Sequence, residues 1–206
     1  MSDGFLVVDK AGGMTSHDVV AVARKALGTR KVGHAGTLDP MATGVLVLGF
    51  GNGTRLLPYI TDGDKSYQAT VVLGAATITD DSEGEVISSA DASAVSDVDI
   101  EKILSKMIGT IAQRPSSVSA VKVGGERAYD RVRAGEKFEL AAREVTITQL
   151  DIRAIRHLEK TTEVDIEVTC SAGTFIRAIA RDLGEALSVG GHLSALRRTR
   201  VAGFTE

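Results

Sequence analysis

Apolar and polar positions recur along this chain with two different periods, and the switches between them mark its elements. Phe5 to Val8 is a short apolar run that reads as a strand. Val19, Val22, Ala23, Ala26 and Leu27 then fall at i, i+3, i+4, i+7 and i+8, the spacing of one helical face. Thr15 with Asp18 forms a capping-box pattern ahead of them, and Gly28 suits the C-terminal end. Val45 to Phe50 is an apolar run that predicts a buried strand. Tyr67, Ala69, Val71 and Leu73 alternate with more polar residues, as in a half-buried strand. Ser96 and Asp99 open a second helix, with Ile100, Ile103, Leu104, Met107 and Ile108 on one face and Gly109 at its end. Val164, Ile166, Val168 and Cys170 alternate again. Thr174 is placed to cap a helix carrying Phe175, Ile176, Ile179, Ala180, Leu183 and Leu187. Strands and helices are interspersed without regular strand–helix–strand spacing, so the predicted class is α+β with a largely antiparallel sheet. No Pro-, Gly- or Ser-rich linker divides the chain, which reads as one domain over residues 1–206, with residues 113–143 as an insertion.

Composition narrows the function classes. The 206 residues contain one cysteine, Cys170, so no internal disulfide forms, in keeping with a cytoplasmic setting. Met1-Ser2-Asp3-Gly4 lacks the basic start and long apolar run of a signal peptide. No apolar stretch approaches the roughly 18 residues of a membrane span. His17, His34, His157 and His192 are scattered, and none pairs with Cys170 at zinc-ligand spacing, so no metal is expected.

The net charge of −3 argues at first against a nucleic-acid partner. Its distribution changes that reading. Ser66 to Glu101 contains acids (Asp80, Asp81, Glu83, Glu85, Asp91, Asp97, Asp99, Glu101) and no Lys or Arg, which leaves the rest of the chain net positive. Gln113 to Arg143 is rich in bases, and Arg197, Arg198 and Arg200 cluster near the end. This asymmetry permits a basic face for phosphates with the acidic region pointing elsewhere; from composition alone, such clusters are also ordinary solvated surface.

The stretch richest in candidate chemistry is Lys31-Val32-Gly33-His34-Ala35-Gly36-Thr37-Leu38-Asp39-Pro40-Met41-Ala42-Thr43-Gly44, followed by the buried run. Three glycines before a rigid strand suit a loop with unusual backbone angles that presents one carboxylate, Asp39. Read in isolation, Asp39-Pro40 is also a turn initiator. Gly49 to Thr54 lacks the Gly-Lys-Ser/Thr of a phosphate loop, and Asp80, Asp81 and Glu83 lack calcium-loop spacing.

The loop does not stand alone. It resembles the catalytic motif of the bacterial tRNA pseudouridine-55 synthases of the TruB type, and further motifs follow in that family's order. Asp9-Lys10 through Gly13, Thr15, Ser16 and His17 resemble its N-terminal motif, with Ala11 where proline is usual. Lys65-Ser66-Tyr67 resembles its Lys-x-Tyr motif. Ser119-Ala120-Val121-Lys122, Gly125, Tyr129, Arg133 and Gly135 resemble its RNA-contacting thumb. Gly173-Thr174-Phe175-Ile176-Arg177 resembles its Gly-Thr-Tyr-Ile-Arg motif, with Phe175 for tyrosine. Gly191-His192-Leu193 with Leu196-Arg197-Arg198 resembles its last core motif. The family usually continues into a small PUA-like RNA-binding domain, whereas this sequence stops at Glu206; the expectation is a catalytic unit without that extension.

The resemblance implies the pseudouridine synthase fold, a mixed, largely antiparallel sheet flanked by helices. It implies isomerisation of the T-loop uridine (U55) of tRNA to pseudouridine by a monomer that needs no obligate protein partner. The C1′–N1 bond breaks, uracil rotates, and C5 bonds to C1′. Nothing is oxidised and no group leaves the RNA, so no redox cofactor or ATP is called for. Asp39 is the implied carboxylate, acting at C1′, at C6 of uracil or on the 2′ proton, with Arg177 favouring its charged form. Tyr67 is implied to stack on the base and Leu196 to contact substrate. His34 is implied to fill the space that a flipped uridine vacates. Lys10, Lys65, Lys122, Arg127, Arg131 and Arg133 are the implied phosphate contacts. Two rivals stand beside this reading: an RNA-binding or RNA-folding protein on the same scaffold, and a guide-RNA-dependent synthase of the related archaeal and eukaryotic kind.

Overall fold

A computed structural model of the chain describes residues 3–116, 122–123, 126–127 and 140–206. Strand β1 (Gly4–Lys10) leads into helix α1 (Ser16–Leu27), followed by β2 (Val32–Ala35) and β3 (Thr43–Phe50). A 3-10 turn (Gly51–Leu56) and helix α2 (Leu57–Thr61) precede β4 (Lys65–Leu73). A hairpin of β5 (Ala75–Thr77) and β6 (Val86–Ser89) and helix α3 (Asp97–Ser105) lead to β7 (Gly109–Gln113). The two-residue strands β8 (Lys122–Val123) and β9 (Glu126–Arg127) pair with each other. Next come β10 (Arg143–His157), β11 (Thr162–Cys170), α4 (Ile176–Ala186), β12 (Gly191–Val201) and β13 (Phe204–Thr205).

The main sheet runs β1-β3-β12-β4-β11-β10-β7, with β2 paired to β3 and β13 to β12. All of its pairings are antiparallel except β12 with β3, so the α+β class with a mixed, largely antiparallel sheet is observed. Alternation makes β4 central: Lys65, Tyr67, Ala69, Val71 and Leu73 are buried, and β11 buries Val164, Ile166, Val168 and Cys170 in step. Alpha helices α1, α3 and α4 contribute Val19, Val20, Ile100, Leu104, Ile179 and Leu183 to the same core.

Three helix expectations need correction. The capping box of Thr15 and Asp18 is present and Gly28 closes α1 with φ 62°. The buried stripe, however, is Ser16, Val19, Val20 and Ala23; Val22 and Leu27 face solvent. The stripe is narrower than the apolar spacing because α1 meets the core along one edge. Thr174 does not cap α4. Phe175 holds that position without a side-chain cap, and Gln113 on β7 supplies what Thr174 does not. The buried amide of Gln113 accepts from the Phe175 N–H (2.8 Å) and donates to its carbonyl (3.1 Å). Gly109, expected as a helix end, begins β7; α3 has already stopped at Ser105.

Candidate active site

The loop between β2 and β3 carries Asp39, and its backbone is tethered residue by residue. The guanidinium of Arg198, on β12, donates to the carbonyls of Gly36 (3.1 Å), Thr37 (3.5 Å) and Val45 (2.8 Å). Ser16, on α1, accepts from the Leu38 N–H (2.9 Å) and donates to its carbonyl (3.2 Å). Lys10, at the end of β1, donates to the carbonyls of Pro40 (3.1 Å), Met14 (2.6 Å) and Ala11 (2.9 Å). The Gly13 N–H reaches Pro40 as well (2.9 Å). Positions on both sides of Asp39 are thus fixed by three different elements, which is how a loop residue acquires strand-like precision.

Gly44 allows the approach that brings Arg198 in. It has φ 96°, and a Cβ there would lie 2.2 Å from the Arg198 carbonyl oxygen. The register does the rest, for Arg198 stands opposite Gly44 on one side and opposite Tyr67 on the other.

Within this frame Arg177, in the first turn of α4, meets Asp39 through two nitrogens: Nε to Oδ2 at 3.0 Å and Nη2 to Oδ1 at 3.3 Å. The guanidinium is 6% exposed and the carboxylate 36%, so the acid faces a cavity while the base backs it from within. The same guanidinium donates through Nη1 to the Thr79 carbonyl (2.7 Å) and to Asp81 (3.3 Å). Asp81 is buried and also accepts from the Thr79 hydroxyl (2.6 Å) and the Glu83 N–H (3.1 Å). Arg177 therefore bridges one buried and one presented carboxylate.

The cavity has a volume of about 660 Å³. Asp39, Tyr67, Arg177 and Leu196 all line it, so the structure brings together these four residues singled out in the sequence. Phe175, Ile176 and Gly173 add the α4 corner, and Lys65 and Arg198 close the floor. Tyr67 is 7% exposed. Burial pushes its phenol up to about 12, against the pull of the Arg198 guanidinium beside it.

The expected lysine contacts Lys10 and Lys65 are buried and already engaged. Lys10 is 1% exposed and Lys65 6%; each ammonium is committed to backbone carbonyls, Lys65 to Thr61 and Gly63 at 2.6 Å each. Burial holds both below the usual lysine range. They brace the site rather than offering charge to a phosphate. The basic cluster near the end is likewise spent internally: Arg197 pairs with Asp9 and Glu206, Arg198 is buried, and Arg200 donates to Ser66 and Ala202. Nor does the acidic run point elsewhere as a whole, because Asp80 and Asp81 turn inward onto Arg181 and Arg177. Burial raises Asp80 above the usual carboxylate range.

His34 lies on β2, outside the cavity lining, edge-on to His17 with ring centroids 5.4 Å apart. Its Nδ1 is buried without a hydrogen-bond partner among the described residues, and burial lowers its basicity. Arg131 and Arg133 lie outside the described residues, and of Lys122 and Arg127 only the backbone is described.

Three positioning groups had no assigned role in the sequence reading: Ser16, Gln113 and Asp81. Asp81 was one acid in a charge run, and its partner stands 96 residues onward. The available signal was chemical: an acid beside β-forming Thr77-Ile78-Thr79 in a stretch without bases has to find a distant cation if buried.

Comparison with known proteins agrees with this geometry. The N-terminal domain of the TruB family pseudouridylate synthases matches residues 24–176, and the tRNA pseudouridylate synthase B C-terminal domain matches residues 177–206. A protein of Nocardia farcinica named tRNA pseudouridine synthase B is 58% identical over 98% of this chain and 66% of its own length. The protein of that name from Rhodococcus jostii is 60% identical over 98% of this chain and 67% of its own. The chain thus spans about two thirds of the length of these curated relatives. Among solved structures, one in a Cbf5-Nop10-Gar1 complex superposes with a TM-score of 0.75 at 32% identity, covering 98% of this chain and half of that one. With both domain matches and a relative of this identity along its whole length, the chain belongs to the TruB family of pseudouridylate synthases.

Proposed function

We infer that this chain isomerises a uridine of structured RNA to pseudouridine, and that its substrate is the T-loop uridine (U55) of tRNA. One observation carries the reading: a carboxylate held at both oxygens by a buried arginine opens into a cavity large enough for a flipped base. A pure RNA binder has no need of such a fixed acid. The relatives named for tRNA stand at 58–60% identity and the Cbf5 structure at 32%, which supports tRNA over a guide-RNA system.

In this proposal Asp39 acts as an anion on the ribose or the base, by addition at C1′, addition at C6 or removal of the 2′ proton. Arg177 keeps the carboxylate aimed without competing for substrate, since Asp81 and Thr79 hold it from behind. Tyr67 and Leu196 confine the uracil while it turns. The Tyr67 phenol remains protonated at neutral pH and is a donor beside the reacting base. His34 enters the loop of the RNA where the base has left. Lys122, Arg127, Arg131 and Arg133 meet phosphates, the enzyme works in the cytoplasm as a monomer, and the isomerisation consumes no cofactor. The test is incubation with unmodified tRNA followed by mapping of pseudouridine: formation at the T-loop uridine supports the reading, and its absence at every uridine contradicts it.

A further inference from the structure

Among the described residues, six charged side chains line the cavity that holds Asp39: Asp39, Asp62, Lys65, Arg143, Arg177 and Arg198. Three of the four cations are committed to the protein itself. Lys65 donates to two carbonyls, Arg198 to three, and Arg177 to Asp39, Asp81 and Thr79. Arg143 differs. It is exposed, and among the described residues its guanidinium makes no hydrogen bond or ion pair.

Its place is nonetheless fixed. Arg143 is the first residue of β10 and stands opposite Gln113 of β7 in the ladder. Gln113 is the residue whose side-chain amide clasps Phe175, two positions before Arg177. An uncommitted guanidinium is therefore mounted on the same rigid corner that sets the Arg177–Asp39 pair.

A nucleotide whose base enters this cavity must leave its phosphates at the rim, because burying an unpaired anion is prohibitive. Asp39 and Asp62 repel a phosphate from their parts of the lining. We propose that Arg143 binds the phosphodiester adjoining the flipped uridine and so sets the ribose over Asp39. The planar fork of arginine matches two phosphate oxygens at once. Arg143 is a substrate-positioning residue here, and the assignment rests on the uridine site argued above.

The test combines protein and RNA changes. T-arm hairpins are made with a neutral methylphosphonate at each of the two phosphates flanking the target uridine. Single-turnover pseudouridine formation is measured against enzyme concentration for wild type, Arg143→Gln and Arg143→Lys. The expected result is a loss of roughly ten- to hundredfold in efficiency for Arg143→Gln, mostly in the concentration giving half-maximal rate, with partial recovery in Arg143→Lys. One methylphosphonate costs wild type a similar factor and costs Arg143→Gln little further, because both changes remove the same contact. Unchanged efficiency in Arg143→Gln, or losses that multiply independently, overturns the assignment while leaving the function intact. Wild type inactive on the unmodified hairpin and on whole tRNA overturns the function and the assignment with it. Should Arg143→Gln melt early, the methylphosphonate scan on wild type and Arg143→Lys still decides: tolerance of both neutral linkages refutes the contact.

Discussion

At the scale of residues, the site depends on a division between presented charges and hidden ones. Asp39 is an acid that reaches the cavity; Arg177, Arg198, Lys10 and Lys65 are cations turned into the protein to hold its loop. Asp39→Asn should keep the fold and RNA affinity, since the amide is nearly isosteric, and lower the single-turnover rate by on the order of a thousandfold or more. Circular dichroism, RNA binding and the rate on one preparation check all three. Lys10→Met should act on stability instead. It strips the donor from three carbonyls in a buried setting and should cost about 3 kcal/mol, seen as a lower urea midpoint with an unchanged m-value. Tyr67 gives a pH prediction. Its phenol is raised to about 12 from 10.0, so its contribution to stability is complete below the unfolded value and is lost as pH rises through the folded one. Between about pH 9 and about pH 11.5, wild type should lose melting temperature relative to Tyr67→Phe, which has nothing to ionise at that position. Parallel curves for the two proteins would contradict the buried, protonated phenol.

At the scale of elements, the site is a meeting of β-strand register and loop. Gly44 lets β3 and β12 run side by side in parallel, which delivers Arg198 to the loop carbonyls. Gly44→Ala adds a Cβ against backbone at a positive φ and should cost at least about 2 kcal/mol, with activity falling alongside stability. Thermal melts of the variant check this; a wild-type melting temperature would mean that the strands can part without consequence. The same elements show what was legible in the sequence. Period-two alternation in β4 and β11 and the capping box of α1 are local patterns, and they were read correctly. Asp39, Tyr67, Arg177 and Leu196 were placed by ordered motifs and share a cavity. What escaped was the destination of charge. Lys10 and Lys65 read as surface bases because a lysine's burial depends on distant carbonyls, and Asp81 read as surface acid because its arginine comes from another element. Gln113 escaped for the same reason: its partner is backbone at the start of α4, which no side-chain pattern announces.

At the scale of the whole molecule, the net charge is −3, and burial withdraws Lys10, Lys65, Arg177 and Arg198 from the surface against only Asp80 and Asp81 among the described residues. Phosphate contacts then fall to individual placed cations, with Arg143 at the rim, rather than to a uniformly basic surface. RNA affinity should therefore fall as salt rises, with the shallow slope of a few phosphate contacts. A T-arm hairpin should react much faster than a linear oligonucleotide of the same loop sequence at subsaturating concentration, because the folded loop presents the base and its phosphates together. Equal rates on the two RNAs would remove shape from the account. The most direct test of the carboxylate-centred reaction is to incubate unmodified tRNA with wild type and Asp39→Asn, each verified as folded, and to map pseudouridine along the whole RNA. Pseudouridine at the T-loop uridine with wild type alone is the predicted result; no product with wild type, or equal product with the Asn variant, would contradict it.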